Sequence, residues 1–424
     1  MADKKPVPKK KVAKKKPAEE VTVEVDDILS VPEEDTPSAD ISTGFDDGLD
    51  IDIPDFTDDT EVVLGDVPDD DFAYDVAYNM AFVGLGQAGS RIASTFYKIG
   101  YRRVSVIDGP IQDLADVTRQ FPDIPQLNLG TGGAGKDISF GEASVEGKEE
   151  QIWDLFTQSV GTKADYILIC ASLGGGTGSG AIVKVMEIAR EYMEHIGRPP
   201  RVGCIIALPM TGEGQRFAKN CLTTFNKLMT LNPSPMIIID NQRIQDLFKV
   251  GVTQIYDKCN SQTARLFHLF NQLAAQRSQF ITFDRSELAS LLDKGLVVFG
   301  ASPIKKFTSA ADVAGEIRNQ LEKTALAQVD LKSGQEAGCI FVGSEPTLDQ
   351  VPMDFFAGGF DMLNRLLGDN SVVHRGIYKG SSPDLRCFTM LAGLDPPIAR
   401  LKELGAIAKV PVSKLASYLG VDDS

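Results

Sequence analysis

The sequence predicts an α/β protein with a Rossmann-like parallel-sheet domain for nucleotide binding, a long central helix and a smaller α+β C-terminal domain. Three observations support this prediction. Apolar runs that end in glycine and lead into helical spacing recur between residues 80 and 190, as in buried strands followed by helices. Residues 252–277 contain neither Gly nor Pro, which indicates one long helix. Past residue 295, strand-like runs continue without a glycine loop.

The same observations divide the chain into segments. We predict a disordered tail over 1–77, a nucleotide-binding domain over 78–251 and a central helix over 252–278. A C-terminal domain for activation and assembly follows over 279–395, and 396–424 is predicted as a short tail. The C-terminal domain is inferred from strand-like runs at 296–300, 338–343, 371–378 and 385–393 and from a helical stretch at 310–326.

The N-terminal tail holds almost all of the formal net charge of −16. Residues 1–16 contain eight lysines and one acid, whereas residues 19–75 contain 22 acids and no Lys or Arg. Such composition favours disorder. The lysines between residues 4 and 16 could contact nucleic acid, an acidic membrane surface or an acidic partner, or could simply be solvated. Acid–apolar pieces at 49–56 and 61–66 resemble docking peptides for a regulator or a neighbouring subunit.

The remainder of the chain is nearly neutral, so nothing in it indicates a nucleic-acid groove. No apolar run reaches membrane-spanning length, and three histidines make a histidine-based metal site unlikely to form. The six cysteines lack CxxC spacing and lie largely in apolar runs, which predicts buried, reduced thiols in a cytoplasmic protein. They are Cys170, Cys204, Cys221, Cys259, Cys339 and Cys387.

The first glycine motif follows an apolar run at residues 80–85. Gly84, Gly86 and Gly89 form a GxGxxG pattern, and Asp108 ends the next strand about twenty residues later. This spacing is typical of dinucleotide-binding Rossmann units, in which the acid contacts ribose. An NAD-dependent oxidoreductase is therefore one candidate, although the chain offers no obvious histidine as its acid or base.

A second glycine loop is longer and stands between a buried strand and a helix. Glycines without side chains allow backbone N–H groups to approach an anion, and the helix that follows adds the positive end of its dipole. Because no Gly-Lys-Ser/Thr follows, the loop is not a Walker A motif. We predict that it binds phosphate through Gly174, Gly175, Gly176, Thr177, Gly178, Ser179 and Gly180.

This Gly-Gly-Gly-Thr-Gly-Ser-Gly loop resembles the signature loop of the tubulin and FtsZ superfamily of GTP-dependent filament proteins. Two further loops are similar to phosphate loops of that family. One contains Gly86, Gln87 and Ala88, and the other, with Lys136 beside it, contains Gly132, Gly133, Ala134 and Gly135. The resemblance implies bound GTP or GDP, and a Mg²⁺ ion held largely by the nucleotide and water.

The resemblance extends to the sugar and the base. It implies that Glu213, with Arg216 nearby, contacts the ribose and that Asn241 binds guanine. Tyr256 and Asn260 share one helix face at i, i+4 and match the base-binding pair of tubulin. Ser261 stands where FtsZ has Asp, so part of the base recognition differs.

A last motif resembles the FtsZ loop that reaches the γ-phosphate of the next subunit. Asp284 and Glu287 lie at i, i+3 and are the implied catalytic carboxylates, although such a pair is commonly only a helix-start charge arrangement. Thr282 replaces the family's Asn. The resemblance implies a homopolymer that hydrolyses GTP at its interfaces in the cytoplasm of a prokaryote or phage-infected cell. A structural filament without efficient hydrolysis is the alternative that Thr282 keeps open.

Overall fold

The computed structural model describes residues 76–247, 252–322, 324, 326–368, 370–380 and 383–410, apart from the side chains of 252–255 and 258. The lysine-rich segment, the two acid–apolar pieces and residues 411–424 lie outside the described residues. Within the described part, no helix is both long enough and apolar enough to span a membrane.

The described strands form one ten-stranded sheet, which confirms the predicted α/β class. Its order is β3-β2-β1-β4-β5-β6-β7-β10-β8-β9. Strands β1 to β7 pair in parallel, and β10 is antiparallel to both β7 and β8. The strands are β1 (Met80–Leu85), β2 (Val104–Asp108), β3 (Gln126–Asn128), β4 (Tyr166–Ser172), β5 (Val202–Leu208), β6 (Met236–Asp240), β7 (Leu296–Pro303), β8 (Glu336–Gly343), β9 (Val372–Lys379) and β10 (Arg386–Leu394).

Helices cover both faces of this sheet, as parallel strands that are buried on both sides require. They are α1 (Gly86–Lys98), α2 (Ile111–Gln120), α3 (Ile138–Val145), α4 (Glu149–Ser159), α5 (Thr177–His195), α6 (Gln215–Leu231), α7 (Asn241–Leu247), α8 (Val252–Leu273), α9 (Arg285–Leu292), α10 (Ala310–Glu322), α11 (Glu345–Leu348), α12 (Met353–Leu366) and α13 (Ile398–Ala408). The predicted central helix is therefore present as α8, five residues shorter at its C-terminal end.

The strand order reverses direction between β1 and β4, which lie side by side within the parallel part of the sheet. In open α/β sheets, ligands bind outside the carboxyl ends of the strands at such a switch point. All six residues of β1 are buried, and α1 packs tightly against β4. A Cβ atom on Gly89 would lie 2.1 Å from the carbonyl oxygen of Cys170, so only glycine fits there.

The two halves of the chain share this sheet rather than forming separate layers. Strand β7 joins β6 through only two residue pairs, Met236 with Leu296 and Ile237 with Val297. Helix α8 spans the junction, because Phe267 packs edge-to-face against Phe82 of β1 and also against Phe299 of β7. The cysteines that the sequence placed in the core are all buried free thiols.

The C-terminal tail predicted from residue 396 begins with a packed helix instead. Helix α13 lies against α6, with Leu401 and Leu404 fully buried. Arg400 is also buried and pairs with Asp240 at 3.1 Å. Residues 398–408 of the predicted tail form this helix because their apolar positions have helical spacing and cover a face of α6 that would otherwise be exposed.

Candidate functional site

The three glycine loops meet at the carboxyl ends of β1 and β4. A Cβ atom on Gly86 would lie 3.2 Å from the backbone nitrogen of Gly178, so the first loop contacts the signature loop. A Cβ atom on Gly176 would lie 2.5 Å from Cβ of Ala134 and 2.9 Å from the nitrogen of Asp137. The fold thus brings together the loops that the sequence identified separately, and glycine permits their close approach.

Other loop glycines face open space. A Cβ atom on Gly132, Gly135 or Gly175 would meet nothing within 4 Å, and the nearest atom to one on Gly133 would be 3.5 Å away. Gly133 and Gly135 have φ values of +111° and +55°, which L side chains rarely adopt. With the N-terminus of α5 behind them, these backbone amides surround a space suited to an anion.

Helix α6 anchors the signature loop from behind. The side-chain nitrogen of Asn220 donates to the carbonyl oxygens of Gly174 and Lys136, each at 3.0 Å. One turn later, the Thr224 hydroxyl donates to the carbonyl oxygen of Ser179 at 3.0 Å. Because α6 takes up these carbonyls, the loop is fixed without using its N–H groups. The sequence analysis missed both residues, although buried polar residues at i, i+4 on an amphipathic helix are a usable signal.

Asp108 ends β2 beside the signature loop and is 2% exposed. Burial raises the pKa of its carboxyl group to about 6. Hydrogen bonds from the Gly109 backbone N–H at 2.7 Å and from Thr177 lower the pKa but do not outweigh burial. The carboxyl therefore faces the N-terminus of α5 rather than an outer ribose site. The described residues contain no group of three or more His, Cys, Asp or Glu side chains that could hold a metal. A carboxylate and a hydroxyl nevertheless fit the oxygen preference of Mg²⁺ when nucleotide and water supply the remaining ligands.

Of the predicted base and ribose contacts, only Tyr256 lines the cavity of about 340 Å³ beside the first glycine loop. This cavity runs between α1 and α2 and is lined by Gln87, Arg91 and Tyr256, among others. The Tyr256 hydroxyl lies 4.0 Å from Sδ of Met210, whose backbone nitrogen donates to Glu213 at 2.7 Å. Burial and Glu213 raise the pKa of Tyr256, and Arg91 opposes the shift. Tyr256, Glu213 and Gln87 are thus brought to one place.

The two amides also occupy the same edge. Asn241 follows β6 directly as the first residue of α7, and Asn260 lies one turn beyond Tyr256 on α8 and is buried. Arg400 connects the segments that lead to Glu213 and Asn241. It pairs with Asp240 at the end of β6 and donates to the carbonyl oxygen of Pro209, just after β5, at 2.6 Å. The sequence analysis did not identify Arg400, since its two partners in this region, Asp240 and Pro209, are more than 150 residues away.

Two basic residues are engaged elsewhere. Arg216 is largely exposed and pairs with Asp137 of the third loop at 3.7 Å. The ammonium group of Lys136 lies 4.5 Å from the centre of the Phe217 ring. Both contacts link the third loop to the start of α6, so these side chains are not directed into the loop space in this structure.

The carboxylate pair lies at the opposite edge of the sheet. Asp284 caps α9, accepting hydrogen bonds from the Ser286 nitrogen at 2.7 Å and the Glu287 nitrogen at 3.0 Å. Glu287 reciprocates by accepting from the Asp284 nitrogen at 2.8 Å. Hydrogen bonds from the Ser286 hydroxyl and from the backbone nitrogens of Glu287 and Ser286 lower the pKa of Asp284. The two carboxylates therefore form the helix-start capping arrangement that is common for such a pair.

Contacts at both ends of α9 fix this position. The Tyr78 hydroxyl, just before β1, donates to the carbonyl oxygen of Arg285 at 2.9 Å. The Tyr166 hydroxyl, at the start of β4, donates to Asp293 at 2.9 Å. Helix α9 thus lies at the amino ends of β1 and β4, whereas the glycine loops lie at their carboxyl ends. The six residues of β1 alone separate the two by about 20 Å.

Comparisons with known proteins agree with this arrangement. The GTPase-domain model of the Tubulin/FtsZ family matches residues 79–249. Cell division protein FtsZ 1 of Pyrococcus woesei is 23% identical over 272 residues, which are 63% of this chain and 70% of the relative. Tubulin-like protein CetZ2 of Haloferax volcanii is 22% identical over 330 residues, which are 74% of this chain and 88% of the relative.

A solved structure shares the fold. The GDP-form protofilament structure of TubZ from Bacillus thuringiensis serovar israelensis superposes with a TM-score of 0.67 at 18% identity, covering 80% of this chain and 93% of that one. The family match favours GTP over the NAD-dependent alternative. Signature loop, sheet order and family match lead to one conclusion: over residues 79–249 the chain carries the GTPase domain of the Tubulin/FtsZ family.

Proposed function

We propose that this protein polymerises head to tail and hydrolyses GTP where one subunit meets the next. One observation carries the proposal: the glycine loops and the Asp284–Glu287 pair lie at opposite edges of one sheet. The pair cannot reach the loop space of its own subunit across about 20 Å of strand. We call the carboxyl ends of the strands, with the three glycine loops, the glycine edge, and the amino ends, with Asp284 and Glu287, the carboxylate edge. In a head-to-tail stack, the carboxylate edge of one subunit faces the glycine edge of its neighbour.

The nucleotide occupies the glycine edge in this proposal. Its phosphates lie among the three loops, and its base stacks on Tyr256, with Asn241 and Asn260 as hydrogen-bonding partners. Glu213 accepts from a ribose hydroxyl. The GDP-form protofilaments of the TubZ relative are consistent with a guanine nucleotide in this fold.

Mg²⁺ would complete the phosphate site. Asp108 and Thr177 are the residues placed to hold it or its water ligands, and the ion would offset phosphate charge. A carboxyl group with a raised pKa beside phosphates is unfavourable when ionised unless a cation is present, which supports this assignment.

The carboxylates would act on the attacking water. The lowered pKa of Asp284 keeps it ionised at neutral pH, and a carboxylate has about four acceptor positions, so capping leaves capacity for water. Asp284 and Glu287 of one subunit would orient and polarise a water against the γ-phosphate of the next. Thr282, whose hydroxyl accepts from the Ser278 nitrogen at 3.0 Å, supports the loop instead of contributing an amide.

Exposed apolar side chains at both edges support end-to-end contact. Ile111 and Phe140 are 71% and 45% exposed at the glycine edge. Phe280 and Val372 are 49% and 48% exposed at the carboxylate edge. Large apolar groups exposed at both ends of a molecule are typical of association surfaces.

Phosphate release and right-angle light scattering, followed together in Mg²⁺ at increasing protein concentration, test this proposal. We expect GTP-specific release that begins at the concentration where scattering begins, with ATP and GDP as controls. Release proportional to protein concentration, without a threshold, would place hydrolysis within single subunits and contradict the proposal. Scattering without release would instead favour the structural filament that hydrolyses GTP poorly.

A further inference from the structure

His374 on β9 lies between two carboxylates at the carboxylate edge. Its Nδ1 is 3.2 Å from Oε1 of Glu287 on α9, and its Nε2 is 3.3 Å from Oε2 of Glu336 on β8. The imidazole is only 16% exposed, and the Phe283 ring packs edge-on at 6.5 Å. One side chain thus connects the capping pair of α9 to the sheet.

Both contacts require a protonated ring. An ionised carboxylate can only accept hydrogen bonds, and neutral imidazole has a single N–H. Only the imidazolium can donate to Glu287 and Glu336 together. Glu287 foremost, and Glu336, raise the pKa of His374 against the opposing effect of burial.

The charged groups around the ring favour the same state. Ser290 donates to Glu336 at 2.6 Å, and Lys294 pairs with its other oxygen at 3.2 Å. These contacts and His374 lower the pKa of Glu336 although burial raises it, so Glu336 remains an acceptor. The titratable groups that face the ring are Glu287 and Asp284 from the start of α9 and Glu336 from β8, and Lys294 reaches this cluster through its pair with Glu336.

The contact fixes Glu287 at both oxygens. Oε2 accepts from the Asp284 nitrogen, and Oε1 accepts from His374. A glutamate has three rotatable side-chain bonds, and an unanchored one loses much of its precision. Two of its roughly four acceptor positions remain for water.

We propose that His374 is a positioning residue that holds the Glu287 carboxylate in the orientation needed at the subunit interface. This inference rests on the proposed interface hydrolysis. It assigns the C-terminal half of the sheet a part in the reaction, because β8 and β9 supply the anchor for a carboxylate on α9.

The proposal predicts a particular pH dependence. The raised pKa means that the His374 ring is protonated below its ordinary pKa of about 6.5 and bridges Glu287 and Glu336 there. As pH rises through the raised value, the ring loses its proton and the bridge is lost. Turnover per assembled subunit should therefore fall on the alkaline side. GTP affinity and critical concentration should not follow the same titration.

Two substitutions of His374 separate its contacts in the full-length protein. An asparagine amide lies near the position of Nδ1 and a glutamine amide near that of Nε2, and neither titrates. We expect His374→Asn to keep turnover near wild type with a flat alkaline limb. We expect His374→Gln to lower turnover about 10- to 100-fold, with GTP affinity and critical concentration unchanged. His195→Asn is the matched control, since His195 is exposed at the end of α5 against Trp153.

The readouts distinguish failure of this inference from failure of the proposed function. If Glu287→Gln slows turnover but His374→Gln keeps the wild-type rate and pH profile, only the role of His374 is overturned. If wild-type polymers release no phosphate, or Glu287→Gln is as fast as wild type, the interface mechanism falls and this inference with it. Should His374→Gln fail to fold, Glu336→Gln replaces it, and an alkaline limb that does not shift to lower pH overturns the proposal.

Discussion

The two edges of the sheet differ in how complete they are without a partner. At the glycine edge, Gly132, Gly135 and Gly175 face open space, and the buried Asp108 carboxyl has a raised pKa. At the carboxylate edge, Asp284 and Glu287 satisfy each other, and His374 anchors the pair. In the proposed function the first edge is completed by a bound nucleotide, whereas the hydrogen bonds of the second are already made within the subunit. The difference suggests that assembly brings a preformed carboxylate group to a bound nucleotide, without a large rearrangement of α9.

The edges also differ in how they are held. Buried polar side chains from helices far along the chain anchor the glycine edge, as Asn220 and Arg400 do. At the carboxylate edge, local capping is combined with long-range contacts that are partly exposed, such as His374 with Glu287 and Arg201 with Asp293 at 3.0 Å. We therefore expect the loss of a buried anchor at the glycine edge to cost more free energy of unfolding than the loss of a partly exposed pair at the carboxylate edge.

Mixing variants tests the division of labour between the edges, with the largest expected effect. A Gly175→Val subunit should lose nucleotide binding but keep its carboxylates, and a Glu287→Gln subunit should do the reverse. Each alone should lose about 10²- to 10⁴-fold in turnover. Mixed together, they should recover part of the activity, because some interfaces join an intact loop space to an intact carboxylate pair. Phosphate release across mixing ratios measures this.

The control is a mixture of Asp284→Asn and Glu287→Gln subunits, in which no subunit carries both carboxylates. This mixture should stay inactive at every ratio. Recovery there, or no recovery in the first mixture, would mean that the two edges do not complete one site between subunits.

Two arginines sharpen the comparison of anchoring. Arg400 and Asp240 are each 6% exposed, so Arg400→Met leaves a buried charge unpaired and should cost about 3–5 kcal/mol in the free energy of unfolding. GTP affinity should fall too, since Pro209 and Asp240 lead into the ribose and base loops. Arg201→Met, at the exposed pair, should cost only about 1 kcal/mol. Urea unfolding of both variants measures these costs. Equal losses in the free energy of unfolding would contradict the comparison.

The sequence was sufficient for the local parts of this arrangement. Apolar runs and glycines identified the strands, the loops and the long helix, because a glycine turn after a buried strand is a short-range signal. The sequence could not show which glycines of the signature loop admit neighbouring backbone and which face open space. Gly176, Gly178 and Gly180 admit neighbouring backbone, with Cβ clashes or tight approaches at 2.5 to 3.1 Å, whereas Gly175 faces open space. That distinction depends on what packs against each residue.

Long-range partners explain the remaining misses. Asn220, Arg400 and His374 act through residues 38 to 191 positions away, and each is a single polar side chain in an ordinary helix or strand. The helix within the predicted tail was not foreseen for the same reason, since α13 is held in place by its packing against α6. Periodicity reports that a face is buried but does not identify what covers it.

Asp108→Asn gives the smallest and most specific test of the glycine edge, because it should change stability and nucleotide binding in opposite directions. An acid whose folded pKa is about 6, against an ordinary value near 3.8, binds more protons folded than unfolded. Its contribution is therefore favourable at low pH and is lost as pH rises from about 4 to 6. At pH 7.5 the nucleotide-free variant should be about 2–3 kcal/mol more stable than wild type, and at pH 5 the gain should be smaller. Mg²⁺-dependent GTP affinity should fall, because a cation ligand is lost. Urea unfolding at the two pH values and GTP titration with and without Mg²⁺ measure both effects, and a variant destabilised at pH 7.5 would contradict the burial argument.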